Sequence, residues 1–248
     1  MRRFVIDPKS IHEGVVELSK EESHHALAVF RLKGGDVVEL FDGQGKSFEG
    51  VVVGQKQGRV SVMVNRNKAA QTTGAEITLA VSVIKPERME LLIEKACELG
   101  VAAIQPLHTE RSVVKLSAER WESKLKRWQK IALESCKQCG RAQAPRVLAP
   151  VPFEHFVRTA DFDLKLIPTL AVASKPLHTV LDRGAQTRGA AVLIGPEGDF
   201  SGREAESAVA AGFQAVSLGP LVLRSETAAL YVLSVLNFNF SQNPSKAI

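Results

Sequence analysis

The chain has 248 residues, of which 45% are hydrophobic and 24% are charged, and its formal net charge is +5. This composition is ordinary for a globular protein and excludes disordered and collagen-like chains. Three cysteines are too few for a disulfide framework, which favours a reducing compartment. No apolar run follows the first arginines as in a signal peptide, and none reaches the ~20 residues of a spanning helix. We therefore expect a soluble, cytoplasmic protein with no membrane segment.

Basic residues are concentrated in one part of the chain. Residues 108–146 contain 10 lysines and arginines against 4 acidic residues, a net charge of +6. Such an excess is typical of a polyanion-binding surface and equally of a solvated helix face. Charge alone leaves both interpretations open.

Short apolar stretches separated by glycine-containing turns indicate β-structure in the first ~65 residues. The predicted strands are Phe4–Ile6, Val15–Leu18, Val37–Phe41, Ser47–Val53 and Val60–Val64. Ser19 and Glu22 form a capping-box pattern that predicts a short helix, and residues 42–45 (DGQG) predict a tight turn. These features predict a small β-barrel. The polar segment Asn65–Gly74 lacks apolar periodicity and is predicted to be a linker.

After residue 75, strand-like runs alternate with helical periodicity. The predicted strands are Ile77–Ile84, Val101–Leu107, Leu164–Ile167, Ala190–Ile194 and Ala215–Leu218. The predicted helices begin at Pro86, near Ser117, after Ser201 and near Glu226. This alternation is typical of an α/β domain with a mostly parallel sheet. We therefore expect two domains, residues 1–68 and 75–248.

Two short patterns carry weak chemical signals. Cys136 and Cys139 form a C-x-x-C pattern at the end of a predicted helix, without further ligands at zinc-binding spacing. Two small, half-buried residues on one helix are the simpler interpretation. Residues 45–47 (GKS) resemble the end of a phosphate loop, but Leu40 occupies the position of its first glycine. We therefore expect no metal site and no phosphate loop.

Two strand-to-loop junctions carry stronger signals. Residues 195–198 (GPEG) follow a buried strand and expose backbone amides at the sheet edge where ligands bind in α/β folds. A plain tight turn explains this loop equally well. The second junction leads from Gly219 to Arg224 at the start of the last helix. Because the helix dipole disfavours a cation there, we expect Arg224 to face an anionic or electron-rich ligand.

These loops occur together with other motifs in a fixed order. The motifs are HH at 24–25, FDGQG at 41–45, EKACELG at 94–100, ERS at 110–112, RWQKI at 127–131, CGR at 139–141, GPEG at 195–198 and LGPLVLRSETA at 218–228. Over nearly its whole length, the chain resembles the bacterial 16S ribosomal RNA uridine-N3 methyltransferases, knotted enzymes of the SPOUT superfamily. Its amino-terminal motifs resemble that family's small PUA-like RNA-binding barrel. One departure is Asp199, where the family more often has glycine.

The resemblance implies a small PUA-like β-barrel followed by a knotted SPOUT-type α/β methyltransferase domain. It implies a homodimer that uses S-adenosylmethionine (SAM) to methylate N3 of a specific uridine in 16S rRNA of the small ribosomal subunit. The alternatives are a knotted RNA ribose 2′-O-methyltransferase and a non-catalytic RNA-binding factor of ribosome assembly.

The resemblance also implies roles for individual residues. The expected cofactor-binding residues are Pro168, Thr169, Leu170, Ile194, Gly195, Pro196, Gly198, Leu218, Gly219, Leu223 and Thr227. Arg224 is expected to stabilise charge that develops on the uracil, with Glu197 or Glu226 as a candidate base. The candidates for RNA phosphate contacts are Arg2, Arg3, Arg31, Arg111 and Arg141.

Overall fold

The fold was analysed in a computed structural model that describes residues 2–68, 75–112, 117–181 and 187–241. The described residues form two compact units. The first unit consists of the residues up to 68 together with Leu133–Ala144, and the second consists of the others. The first unit is therefore discontinuous in sequence.

The first unit is built on a five-stranded sheet with the order β1-β3-β4-β5-β2. Its elements are β1 (Arg3–Val5), β2 (Val15–Glu17), α1 (Lys20–His24), β3 (Val37–Phe41), β4 (Ser47–Lys56) and β5 (Arg59–Lys68). Strands β1 and β3 are parallel, and the other neighbours are antiparallel. The hydroxyl of Ser19 accepts a hydrogen bond from the amide of Glu22 at 3.1 Å, which confirms the predicted helix cap. A π-helical turn at His25–Val29 continues from α1.

The prediction of a linker at Asn65–Gly74 is wrong for its first four residues. Strand β5 continues through Lys68, where it still pairs with β4. The side chains of residues 65–68 are exposed, so the strand gives no apolar alternation there. Residues 69–74 lie outside the described part of the chain.

Arg3 is a buried structural residue of the first unit. Its side chain is only 1% exposed, and its Nε donates a hydrogen bond to Glu39 at 3.1 Å. The guanidinium also donates to the backbone carbonyls of Cys136 and Arg141, and it lies 4.5 Å from the ring centroid of Phe41. These contacts occupy the Arg3 guanidinium inside the protein, which argues against the predicted RNA contact.

The second unit contains an eight-stranded sheet in which every pair of neighbours is parallel. Its strands are β6 (Glu76–Ser82), β7 (Ala103–His108), β8 (Arg146–Val147), β9 (Val151–Pro152), β10 (Leu164–Pro168), β11 (Lys175–Pro176), β12 (Gly189–Ile194) and β13 (Gln214–Ser217). Its helices are α2 (Pro86–Glu98), α3 (Ala118–Cys139), α4 (Phe153–Thr159), α5 (Leu177–Val180), α6 (Gly202–Ala210) and α7 (Ser225–Ser241). The last turns of α3 belong to the first unit. The predicted parallel α/β architecture is confirmed.

Both faces of the second unit's sheet are buried. In β12, Val192 and Ile194 pack into one apolar cluster with α2 and α7, whereas Ala191 and Leu193 pack into another with α4 and α6. A sheet covered on both faces needs continuous apolar runs, which explains why these strands lack polar alternation. The order β13-β10-β12 brings the carboxyl ends of three strands together at one edge of the sheet.

None of the helices in the described residues combines the length and the apolar character needed to cross a bilayer. The same part of the chain contains no group of three or more histidine, cysteine or acidic side chains arranged to hold a metal ion.

Candidate functional site

A cavity lies at the carboxyl ends of β10, β12 and β13. Each strand continues into a loop that forms one wall, and the first turn of α7 closes the cavity. Its lining residues are Pro168, Thr169, Leu170, Ile194, Gly195, Pro196, Glu197, Asp199, Val216, Ser217, Leu218, Gly219, Leu221, Val222, Leu223, Ser225 and Ala228. This is the edge at which open α/β sheets bind ligands.

The cavity brings together nine of the eleven residues predicted to bind the cofactor. The other two, Gly198 and Thr227, are exposed and do not line it. The sequence prediction did not assign Asp199 and Ser225 to this site. Asp199 directly follows the GPEG motif and Ser225 lies within LGPLVLRSETA, and those positions are the signal that would have included them.

Gly195 leaves little room for a side chain. A Cβ atom at this position would lie 3.1 Å from the amide nitrogen of Phe200 and 3.2 Å from Oδ1 of Asp199. The close approach arises because the loop folds back on itself, with the amide of Asp199 donating to the carbonyl of Pro196 at 3.0 Å. Glycine at position 195 therefore allows both the turn and a close approach of its backbone to a ligand.

Arg111 holds the same loop from outside the cavity. Its guanidinium donates hydrogen bonds to the carbonyl of Gly198 and, at 3.3 Å, to that of Phe200. Arg111 was predicted to contact RNA. In this structure it fixes the backbone of the loop that follows β12.

Glu110 links the end of β7 to the start of α6. Its amide donates to Glu204 at 2.8 Å, and its carboxylate accepts a hydrogen bond from Nε of Arg203 at 2.9 Å. The Arg203 guanidinium holds the pKa of Glu110 below its usual value. Glu204 completes the predicted capping box with Ser201. The ERS motif thus contributes to the support of the cavity loops.

The start of α7 presents Arg224 and Glu226 in different environments. Arg224 is exposed, and the described residues provide no ion-pair partner for its side chain. The side chain of Glu226 is 12% exposed, and its Oε2 is buried without a hydrogen bond from the described residues. Arg224 is therefore free to meet a ligand from solvent, whereas Glu226 faces inward.

Arg88 connects the two acidic residues predicted to take part in catalysis. Its guanidinium lies 3.4 Å from Oε1 of Glu197 and 3.9 Å from Oε1 of Glu226. The sequence prediction missed Arg88. Its location in the first turn of α2, just after β6 ends at the same sheet edge, is the signal that would have found it.

The remaining arginines predicted to contact RNA belong to the first unit. Arg2 is 42% exposed and forms an ion pair with Asp36 at 3.0 Å. Arg31 is exposed and adopts a left-handed backbone conformation with φ of +52°. Arg141 is half-buried, and its carbonyl accepts a hydrogen bond from Arg3. Arg2 and Arg31 are thus the most accessible candidates.

Family models match both parts of the chain. Residues 71–237 match the model described as an RNA methyltransferase domain. Residues 18–62 match the model described as an RNA methyltransferase PUA domain. The two models therefore account for most of the sequence.

Curated relatives match over nearly the full chain. Ribosomal RNA small subunit methyltransferase E of Bacillus subtilis is 30% identical, with 96% of each chain covered. The protein of the same name from Synechocystis is 32% identical over 95% of this chain and 77% of its own length. The chain belongs to the ribosomal RNA small subunit methyltransferase E family.

Solved structures support the same assignment. The methyltransferase E of Neisseria gonorrhoeae bound to SAM has a TM-score of 0.84 and 31% identity, over 96% of this chain and 97% of its own. A Legionella pneumophila structure in complex with SAM has a TM-score of 0.85 and 38% identity, over 95% and 96%. The sequence predicted a small PUA-like β unit followed by a SPOUT-type α/β domain. This prediction is confirmed.

Proposed function

We propose that this chain methylates N3 of a uridine in 16S rRNA of the small ribosomal subunit, with SAM as methyl donor. The observation that carries the proposal is the cavity formed by three strand-to-loop junctions at the sheet edge. Support comes from the relatives, which are named as small-subunit rRNA methyltransferases, and from neighbouring structures that hold SAM. Ribosome assembly in the cytoplasm is the setting that this activity implies.

The residues of the cavity fit SAM. Leu170, Leu218 and Leu223 provide apolar surface, and the bare backbone at Gly195 allows close approach of a flat or polar ligand group. Asp199 also lines the cavity and contributes negative charge. When bound, SAM supplies a methyl group already activated by its sulfonium, so the protein's task is to orient and desolvate the reactants.

The protein residues around the target base have two tasks. N3 of uridine carries a proton and is hidden in base pairs, so the base must be unpaired or flipped before it can react. Loss of that proton leaves negative charge on the uracil carbonyls, which the exposed guanidinium of Arg224 can stabilise. Glu197 and Glu226 are candidates to accept the proton, with Arg88 holding both carboxylates near the cavity.

Replacement of Gly195 by alanine is expected to weaken SAM binding. Its Cβ would lie 3.1 Å from the Phe200 amide, so the loop must move by a few tenths of an ångström and its backbone no longer approaches SAM in the same way. We expect the Kd to rise by about tenfold, or ~1.4 kcal/mol. Calorimetric titration with SAM measures this effect. Gly198→Ala in the same loop is the matched control, because its Cβ would meet only Arg111 at 3.6 Å and Gly198 does not line the cavity. Equal affinities for the two variants would contradict the proposed fit.

We propose that the first unit binds rRNA through a few exposed arginines. If Arg31 contacts a phosphate, Arg31→Ala should reduce the salt dependence of RNA binding by about one unit of slope. The same change should leave SAM affinity as it is, since Arg31 does not line the cavity. RNA affinity measured across a salt series tests this, with Arg2→Ala as a parallel case. Unchanged slopes in both would make the basic segment at residues 108–146 the leading RNA surface.

We propose a homodimer as the active form. Apolar side chains on the cavity loops are largely exposed, with Leu170 at 68%, Leu221 at 76% and Val222 at 81%. Exposed apolar side chains clustered on the loops of one cavity are typical of an interaction surface. Light scattering of the purified chain tests the dimer, and a monomeric mass at micromolar concentration would contradict it.

One reaction tests the main proposal against its alternatives. Unmethylated small subunits are incubated with the protein and isotopically labelled SAM, and the rRNA is then digested to nucleosides. The expected product is 3-methyluridine. A ribose-methylated nucleoside would instead identify a 2′-O-methyltransferase. SAM binding or RNA binding without any methylated product would favour a non-catalytic assembly factor.

A further inference from the structure

Asp199 belongs to the loop after β12, and its carboxylate accepts hydrogen bonds from that loop and from the loop after β10. Its Oδ2 accepts hydrogen bonds from the hydroxyl of Thr169 at 2.9 Å and from the amide of Leu170 at 2.7 Å. Its Oδ1 accepts from the amide of Phe200 at 2.7 Å. The first two donors belong to the loop after β10, and the third belongs to the loop after β12.

The link continues into the loop after β10. The Thr169 side chain is buried, with the residue 5% exposed, and its hydroxyl oxygen accepts a hydrogen bond from the amide of Ala171 at 3.0 Å. Hydrogen bonds to an ionised carboxylate are roughly twice as strong as those between neutral groups. One carboxylate therefore orders three consecutive residues of that loop, of which Thr169 and Leu170 line the cavity.

The backbone of Asp199 adopts an unfavourable conformation to reach this position. Its φ is +60°, in the left-handed region that side chains other than glycine rarely occupy. Aspartate tolerates this region better than most residues, because its short side chain can bond locally. Strain of this kind persists where surrounding contacts enforce it and often accompanies function. Here the enforcing contacts are the three hydrogen bonds at the cavity.

The hydrogen bonds of the Asp199 carboxylate indicate that it positions the cavity loops and does not react with the substrate. Both carboxylate oxygens of Asp199 already accept hydrogen bonds from protein donors, so neither is poised to take a proton from a substrate. What the carboxylate controls is the spacing between the two loops. We infer that Asp199 is a positioning residue that joins the loops after β10 and β12 and preforms the SAM cavity. This inference rests on the proposed use of SAM.

Two substitutions separate the carboxylate from the backbone conformation. Asp199→Gly keeps the left-handed turn without strain and removes all three hydrogen bonds. We expect it to raise the calorimetric Kd for SAM at least tenfold, or about 1.4 kcal/mol. Asp199→Asn keeps the size and one acceptor oxygen but loses the charge, so its Kd should lie between those of wild type and the glycine variant. Asp161→Asn, at an exposed position outside the cavity, is the matched control with unchanged Kd.

Kinetics distinguish positioning from general stability. Because a preformed cavity holds SAM equally before and during methyl transfer, Asp199→Gly should raise the KM for SAM and leave kcat nearly unchanged. A double-mutant cycle with Thr169→Val adds a second test. Because Thr169→Val removes one of the three hydrogen bonds to the carboxylate, Asp199→Gly should weaken SAM binding less in the Thr169→Val background than in wild type.

Two results would overturn the inference, and a third bears on the proposed function alone. Wild-type SAM affinity in folded Asp199→Gly would show that the loops are ordered without the carboxylate. A fall in kcat with unchanged KM would assign Asp199 to the chemical step. Failure of the wild-type protein to bind SAM would instead overturn the proposed function. Circular dichroism melts confirm that each variant is folded, and the asparagine variant keeps the test available if the glycine variant is not.

Discussion

Replacing Arg224 by alanine is expected to slow methyl transfer by about 10²–10³-fold, or ~2.7–4 kcal/mol, while SAM affinity stays within about twofold of wild type. Arg224 is exposed at the amino-terminal end of α7, where its charge opposes the helix dipole and no described side chain pairs with it. Such a cation stabilises the reaction only when negative charge develops on the uracil. Single-turnover kinetics with saturating RNA measure the rate, and calorimetry measures the affinity.

Two further variants serve as controls for Arg224→Ala. Arg224→Lys keeps the charge but loses the planar fork of donors, so it should recover only part of the rate. Arg158→Ala removes an exposed arginine from α4, outside the cavity, and should have no effect on the rate. A normal rate with weakened SAM binding in Arg224→Ala would assign Arg224 to the cofactor instead.

Replacing Arg3 by methionine is expected to destabilise the first unit by about 3–5 kcal/mol, the usual loss when one member of a buried ion pair is removed. The Glu39 side chain is 7% exposed, and among the described residues its carboxylate would retain only Lys68, whose side chain lies 2.8 Å away and is 49% exposed. The carbonyls of Cys136 and Arg141 would also lose the hydrogen bonds that the Arg3 guanidinium donates. Hydrogen–deuterium exchange of the amides in β3 and β4 measures the loss locally.

Arg66→Met is the matched control for the Arg3 prediction. Arg66 belongs to the same sheet and pairs with Glu49 at 3.0 Å, but its side chain is 72% exposed. Exposed ion pairs contribute about 0–1 kcal/mol to the free energy of unfolding, so hydrogen–deuterium exchange of the amides in β3 and β4 should barely change. Equal protection in both variants would show that the buried cluster around Arg3 contributes no more than a surface ion pair.

The regular elements of the fold were predictable where local patterns determine them. Strand β3 has the predicted bounds, and α2 begins at the predicted Pro86 because proline suits the first turn of a helix. Strands β8, β9 and β11 were missed because two residues carry no periodicity. The end of β5 was missed because its hydrogen bonds continue where both faces of the strand are exposed.

The site was predictable to the extent that its residues are close together in sequence. The loops that begin at Gly195 and Gly219 are recognisable in the sequence by their glycine and proline residues, and both loops line the cavity. Arg88 reaches Glu197 across 109 positions of sequence, which no local pattern reports. The burial of Arg3 was missed for the same reason, because its partners lie up to 138 residues away. The specific family came from the ordered motifs rather than from periodicity.

The discontinuity of the first unit has a consequence for how the chain is made. The hydrogen bonds from Arg3 to the carbonyls of Cys136 and Arg141 span 133 and 138 residues. Chains emerge from the ribosome at about 5–20 residues per second, so these partners appear several seconds after the amino-terminal strands. During that interval Arg3 and Glu39 lack part of their final environment. In a nascent fragment that ends near residue 75, the first unit should therefore be open to proteases. In a fragment that extends beyond residue 144, the first unit should resist them.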